Sequence, residues 1–121
     1  MYINNLKTMA APENLLEQIL TRKQQEREKE REELLSLTID VVKSVSPLFS
    51  VTEAYVTGSL VIAGRFHSHS DIDIAVKGLT NQNYFTFMAK VQQLLPRQVE
   101  IIELENCSFA QKIIETGLKV L

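Results

Sequence analysis

The chain has 121 residues, 45% of them hydrophobic and 23% charged, which amounts to one ordinary globular domain and indicates no exotic class. A net charge of -2 gives no global attraction for phosphate backbones, so nucleic-acid binding is disfavoured and would have to rest on a local patch. One cysteine, Cys107, excludes an internal disulfide and reads as a buried small hydrophobe. With no signal-peptide core and no run of ~18 apolar residues, a cytoplasmic protein away from membranes is expected.

Residues 13–45 carry no Gly or Pro, lie between Pro12 and Pro47, and are rich in Glu, Lys, Arg, Gln and Leu, so they predict one long helix or two joined ones. The middle, RKQQEREKEREE, balances acids and bases at i+4 spacing and reads as a solvated helix surface. The C-terminal end, LLSLTIDVVKSV, is expected to pack on the core. Leu15, Leu16, Ile19 and Leu20 sit too far along the helix to join it, since about 33 residues span roughly 50 Å. A second chain, in a homo-oligomer through this helix, is the expected contact. The organisation is thus a helical extension over 1–46 and a domain over 47–121.

After Pro47 the texture turns to strands: VTEAYVTG (51–58), DIDIAV (71–76) and QVEIIELE (98–105). NQNYFTFMAKVQQLL places Tyr84, Phe87, Met88, Val91, Leu94 and Leu95 at helical spacing before Pro96. SFAQKIIETG reads as a short helix with Ser108 as cap and Gly117 at its C-terminal end. Helix, strand, turn, strand, helix, strand, helix is an α+β or α/β arrangement of helices on a small sheet.

Chemistry concentrates in GSLVIAGRFHSHSDIDIAV (58–76). Residues two apart in a strand share a face, so Asp71 and Asp73 look one way and Ile72 and Ile74 the other. Two neighbouring carboxylates repel unless a cation lies between them, and hard oxygen ligands favour Mg²⁺ or Mn²⁺. A solvent-facing edge strand with gatekeeping acids is the alternative. Gly58-Ser59 offers a close backbone approach and a hydroxyl beside free N–H groups, a phosphate site; alone, the pair is more often a plain turn, while followed by Asp-x-Asp it suits a nucleoside triphosphate.

A third carboxylate would complete a two-metal site, and strand parity selects Glu100, apart from Glu103 and Glu105; an exposed acid near the strand's start is the alternative. His67 and His69 offer either zinc ligands or exposed loop residues. Arg65 is a candidate to touch triphosphate charge. Lys77 reads as a solvated strand end.

Gly-Ser followed at a short interval by Asp-x-Asp resembles the signature of the DNA polymerase beta-like nucleotidyltransferases, especially their minimal domains in prokaryotes. GRF, SDIDIAVKGL, VEIIELE and IIETGLKVL extend the likeness over residues 47–121. The resemblance implies an α+β nucleotidyltransferase fold, a small mixed sheet flanked by helices. It implies that Gly58 and Ser59 grip a triphosphate and that Asp71 and Asp73 bind two Mg²⁺ ions. Glu100 stands where the family has an aspartate that joins one metal and helps deprotonate the acceptor. The reaction implied is transfer of AMP from ATP to a hydroxyl, with release of pyrophosphate. Since no second domain holds an acceptor, the implied partner is a HEPN-type helical toxin, and the chain its antitoxin. A catalytically inactive binding module that neutralises or scaffolds the same partner is the alternative.

Overall fold

The computed structural model describes the backbone of residues 6–121 and the side chains of 14–121. The first five residues of the extension lie outside it. Helix α1 (Leu6–Val45) is a single helix of 40 residues, so the choice between one helix and two resolves to one. It starts ahead of Pro12 rather than after it. One proline costs a single i−4 hydrogen bond and a local clash, which the helix-forming residues on either side outlast. A three-ten turn, Ser46–Phe49, carries Pro47 and stops α1, and Ser50 then adopts the left-handed conformation (φ 64°).

Among the described residues of α1, those that pack on the core lie towards its C-terminal end. Leu34, Thr38, Val41, Val42 and Val45 recur at helical spacing and are buried. Leu15, Leu16 and Leu20, each more than half exposed, and Ile19 stay in solvent as their distance from the core required.

Strands β1 (Glu53–Thr57), β2 (Ile72–Lys77), β3 (Val99–Glu103) and β4 (Leu118–Lys119) form a mixed sheet in the order β3-β2-β1-β4. β2 and β3 are parallel and joined by helix α2 (Tyr84–Leu94); the other pairs are antiparallel. Ile72, Ile74 and Val76 face the main core with Val42, Phe87 and Val91, all wholly buried. Each of these isoleucines contributes about 2 kcal/mol by leaving water. The other sheet face carries Tyr55 and Ala75 with Leu104, under helix α3 (Ala110–Thr116) through Ile113.

Three local expectations change and one strand is new. Leu94 is exposed, because the face of α2 that packs is set by Phe87, Val91 and the residue after the helix, Leu95. Ser108 does not cap α3: the Ala110 N–H donates to the Cys107 carbonyl at 3.3 Å, this turn starts the helix later, and Phe109 holds the cap position with no side-chain bond. Cys107 is half-buried against the smaller core. β4, two residues pairing Tyr55 and Val56, is too short to leave a periodic signal.

Candidate active site

One end of the sheet gathers the chemistry. β1 arrives there at Thr57, while β2 and β3 leave from it, and the register sets Thr57 beside Asp73 and Asp73 beside Glu100 in one row across three strands. Adjacent strands lie ~4.8 Å apart, so these side chains share one surface. The isoleucines on the opposite face are fully buried, which pins β2 and turns its carboxylates to the other side.

Gly58 follows Thr57 directly, with φ 78°. A β-carbon on it would lie 2.5 Å from the Asp73 Oδ2 atom. The backbone therefore passes against the carboxylate at a distance, and in a conformation, that only glycine allows. Ser59 follows in the three-ten turn Gly58–Val61, half-buried beside this contact.

Asp73 is half-buried, Asp71 and Glu100 are exposed. Burial, then the charge of Glu100, then that of Asp71 push the Asp73 carboxyl from its ordinary 3.8 up to about 6. The charges of Glu100 and Asp71 thus bear on the Asp73 carboxylate. Among the described residues, however, no three His, Cys, Asp or Glu side chains are gathered to hold a metal ion by themselves. The donor set still fits Mg²⁺: a repelled pair of hard carboxylates is what such a cation relieves, and Mg²⁺ commonly takes one or two carboxylates plus substrate phosphate oxygens. Among the described residues no third ligand joins His67 and His69 to make a zinc site. Both are exposed, and the His67 Nδ1 atom accepts the His69 backbone N–H at 3.2 Å.

Arg65 lies exposed in the loop 62–71, and Lys77, exposed at the far end of β2, has only a loose 4.0 Å pair with Glu53. Three residues that the sequence did not single out hold this loop and the Gly58–Val61 turn before it. Arg31, only 9% exposed, donates from Nη1 to the Leu60 carbonyl at 3.0 Å and from Nε to Glu28 at 3.1 Å. Glu28 accepts the Gly64 N–H at 3.0 Å, and that bond, ahead of Arg31, holds its carboxyl below the ordinary range. The run 22–33 is therefore not all solvated surface. Helical phase carries the missed signal, since Arg31 lies three and seven residues before the buried Leu34 and Thr38. Arg97, in the turn before β3, donates to the carbonyls of His67 (2.8 Å) and Ser70 (2.7 Å) and covers the Phe66 ring at 4.6 Å. No local pattern in the sequence announces it.

The model of the polymerase beta nucleotidyltransferase family matches residues 39–121. The chain belongs to that family. Among solved structures, the chain is similar to a toxin-antitoxin with AMP-PNP, at 23% identity and a TM-score of 0.59, covering 69% of this chain and 72% of that one. It is also similar to the toxin-antitoxin MntA-HepT (20% identity, TM-score 0.54, 71% of each chain). A third likeness is to a complex of tri-AMPylated Shewanella oneidensis HEPN toxin with MNT antitoxin (22% identity, TM-score 0.52, 71% of each chain). At these identities the likeness is one of fold. Among curated proteins none matches the nucleotidyltransferase, and among its described residues no helix is long and apolar enough to cross a membrane.

Proposed function

We propose that the chain transfers AMP from ATP to a hydroxyl of a partner protein, and that this partner is a HEPN-type toxin silenced by the modification. The observation that carries the reading is the meeting of the Gly58 turn with the half-buried Asp73 carboxylate, repelled by Glu100 and Asp71. A backbone that closes on a carboxylate without a side chain leaves space for phosphate oxygens beside a cation. The antitoxin role is supported by the fold's likeness to complexes that contain AMP-PNP or an AMPylated toxin.

In this mechanism Gly58 and Ser59 hold the triphosphate, Arg65 faces its charge, and Asp71 and Asp73 ligate Mg²⁺ or Mn²⁺. When bound, the cations neutralise charge on the attacking and leaving oxygens. Glu100 accepts the proton of the acceptor hydroxyl as its oxygen bonds to the α-phosphorus. The bond from that phosphorus to the oxygen bridging to the β-phosphate breaks, and pyrophosphate leaves. A second reading, a binding module with a degenerate site, draws its support from the carboxylate trio's not closing into a metal cage among the described residues.

The test separates them. The chain is incubated with ATP labelled at the α-phosphate, Mg²⁺ and the product of the adjacent gene. The expected result is label on that partner, lost with Asp71→Ala plus Asp73→Ala. A stable complex that never takes up label would leave only the binding module.

A further inference from the structure

The family match starts at residue 39, yet the segment that follows Ser59 is tied down by α1 residues that lie before it. The geometry points to Arg31 and Glu28 as positioning residues for the turn that grips the triphosphate, an inference that rests on the function proposed above.

The tie has two ends. Arg31 Nη1 donates to the Leu60 carbonyl at 3.0 Å, while its Nε and Nη2 atoms engage Glu28 Oε1, both at 3.1 Å. The other Glu28 oxygen accepts the Gly64 N–H at 3.0 Å. Two side chains one helical turn apart therefore clamp both ends of residues 60–64. A peptide group is planar and trans, so its C=O and N–H point in opposite directions. Drawing the Leu60 carbonyl towards α1 aims the Val61 N–H the other way and fixes the pitch of the turn that begins at Gly58 and Ser59.

The surroundings make this clamp stiff. The Leu60 side chain is fully buried, Arg31 is nearly so, and a charged donor on a buried carbonyl is among the stronger hydrogen bonds. Without Arg31 the Leu60 carbonyl would be buried unpaired, and the turn would shift to rewet it. Glu28 and Arg31 hold the turn without touching substrate. Their loss is expected to weaken nucleotide binding and to leave the chemical step, carried by Asp71, Asp73 and Glu100, largely as it is.

The experiment measures the Kd of AMP-PNP with Mg²⁺ by calorimetry, and KM and kcat for ATP, on the full chain. Arg31→Met is expected to raise Kd and KM about tenfold with kcat within about threefold, Arg31→Lys to recover part of the affinity, and Glu28→Ala to cost about threefold. Two controls exclude a general loss of fold. Arg22→Met, exposed half a turn round α1 from Arg31, keeps wild-type affinity. Val91→Ala, a cavity beneath α2, lowers the melting temperature and keeps it too. Wild-type affinity in Arg31→Met and Glu28→Ala would overturn the inference, as would a loss that Val91→Ala reproduces at equal stability. Should Arg31→Met fail to fold, Glu28→Ala, a third exposed, decides alone. A wild-type chain that binds no AMP-PNP would instead overturn the function proposed for the site.

Discussion

Asp73→Asn should make the metal-free protein more stable at neutral pH while removing its proposed metal ligand. Burial, Glu100 and Asp71 raise the Asp73 carboxyl from 3.8 to about 6, so the folded state holds its proton more tightly than the unfolded chain does. The stabilisation linked to that proton is fully present below pH 3.8 and is lost as pH rises through about 6. A gap of about two pH units corresponds to roughly 3 kcal/mol for a fully shielded group. Asp73 is only half-buried, and solvent screening reduces the figure to about 1 kcal/mol. Asparagine has the same shape and no charge, so at pH 7.5 in EDTA the variant should melt roughly 3–5 °C above the wild type. The advantage should vanish by about pH 3, where wild-type Asp73 is protonated in both states. Thermal unfolding followed by circular dichroism across pH 3–8 checks this. A variant less stable at pH 7.5, or a difference that does not change with pH, would refute the electrostatic account of the site.

Two further outcomes follow from the same geometry. Gly58→Ala forces a β-carbon to within 2.5 Å of Asp73 Oδ2 at φ 78°, and should cost roughly 1–3 kcal/mol in chemical denaturation while abolishing AMP-PNP binding. Retained binding would mean that the turn does not face the triphosphate. Leu16→Glu with Leu20→Glu, on the exposed stripe of α1, should leave the stability of the monomer within about 0.5 kcal/mol, as urea titration at low protein concentration will read.

Much of this site was legible because it is local. Alternation in DIDIAV assigns both faces of β2, and burial of Ile72 and Ile74 against exposure of Asp71 follows from it directly. Parity likewise separates Glu100 from Glu103, and parallel pairing then sets Glu100 next to Asp73. What escaped depends on contacts distant in sequence. Arg31 and Leu60 are 29 residues apart, Arg97 and His67 30 apart; only helical phase with Leu34 and Thr38 marks Arg31, and nothing near Arg97 distinguishes it from a solvated arginine. Ser108 failed for the opposite reason. The local preference for a serine cap was real, but the turn closed by Ala110 and Cys107 had already set where α3 begins.

The length of α1 has a mechanical side. Were the helix to tilt about its packed end, the wholly buried Val42 would act as the pivot. Arg31 stands roughly 16 Å from that pivot and Leu16 roughly 39 Å, at 1.5 Å per residue. A rigid tilt that stretches the Arg31–Leu60 bond by ~0.5 Å, enough to weaken it, thus moves Leu16 by little more than ~1 Å. The helix is a lever whose short arm ends on the Gly58–Val61 turn. Whatever leans on its free end leans on that turn as well, with the force multiplied more than twofold.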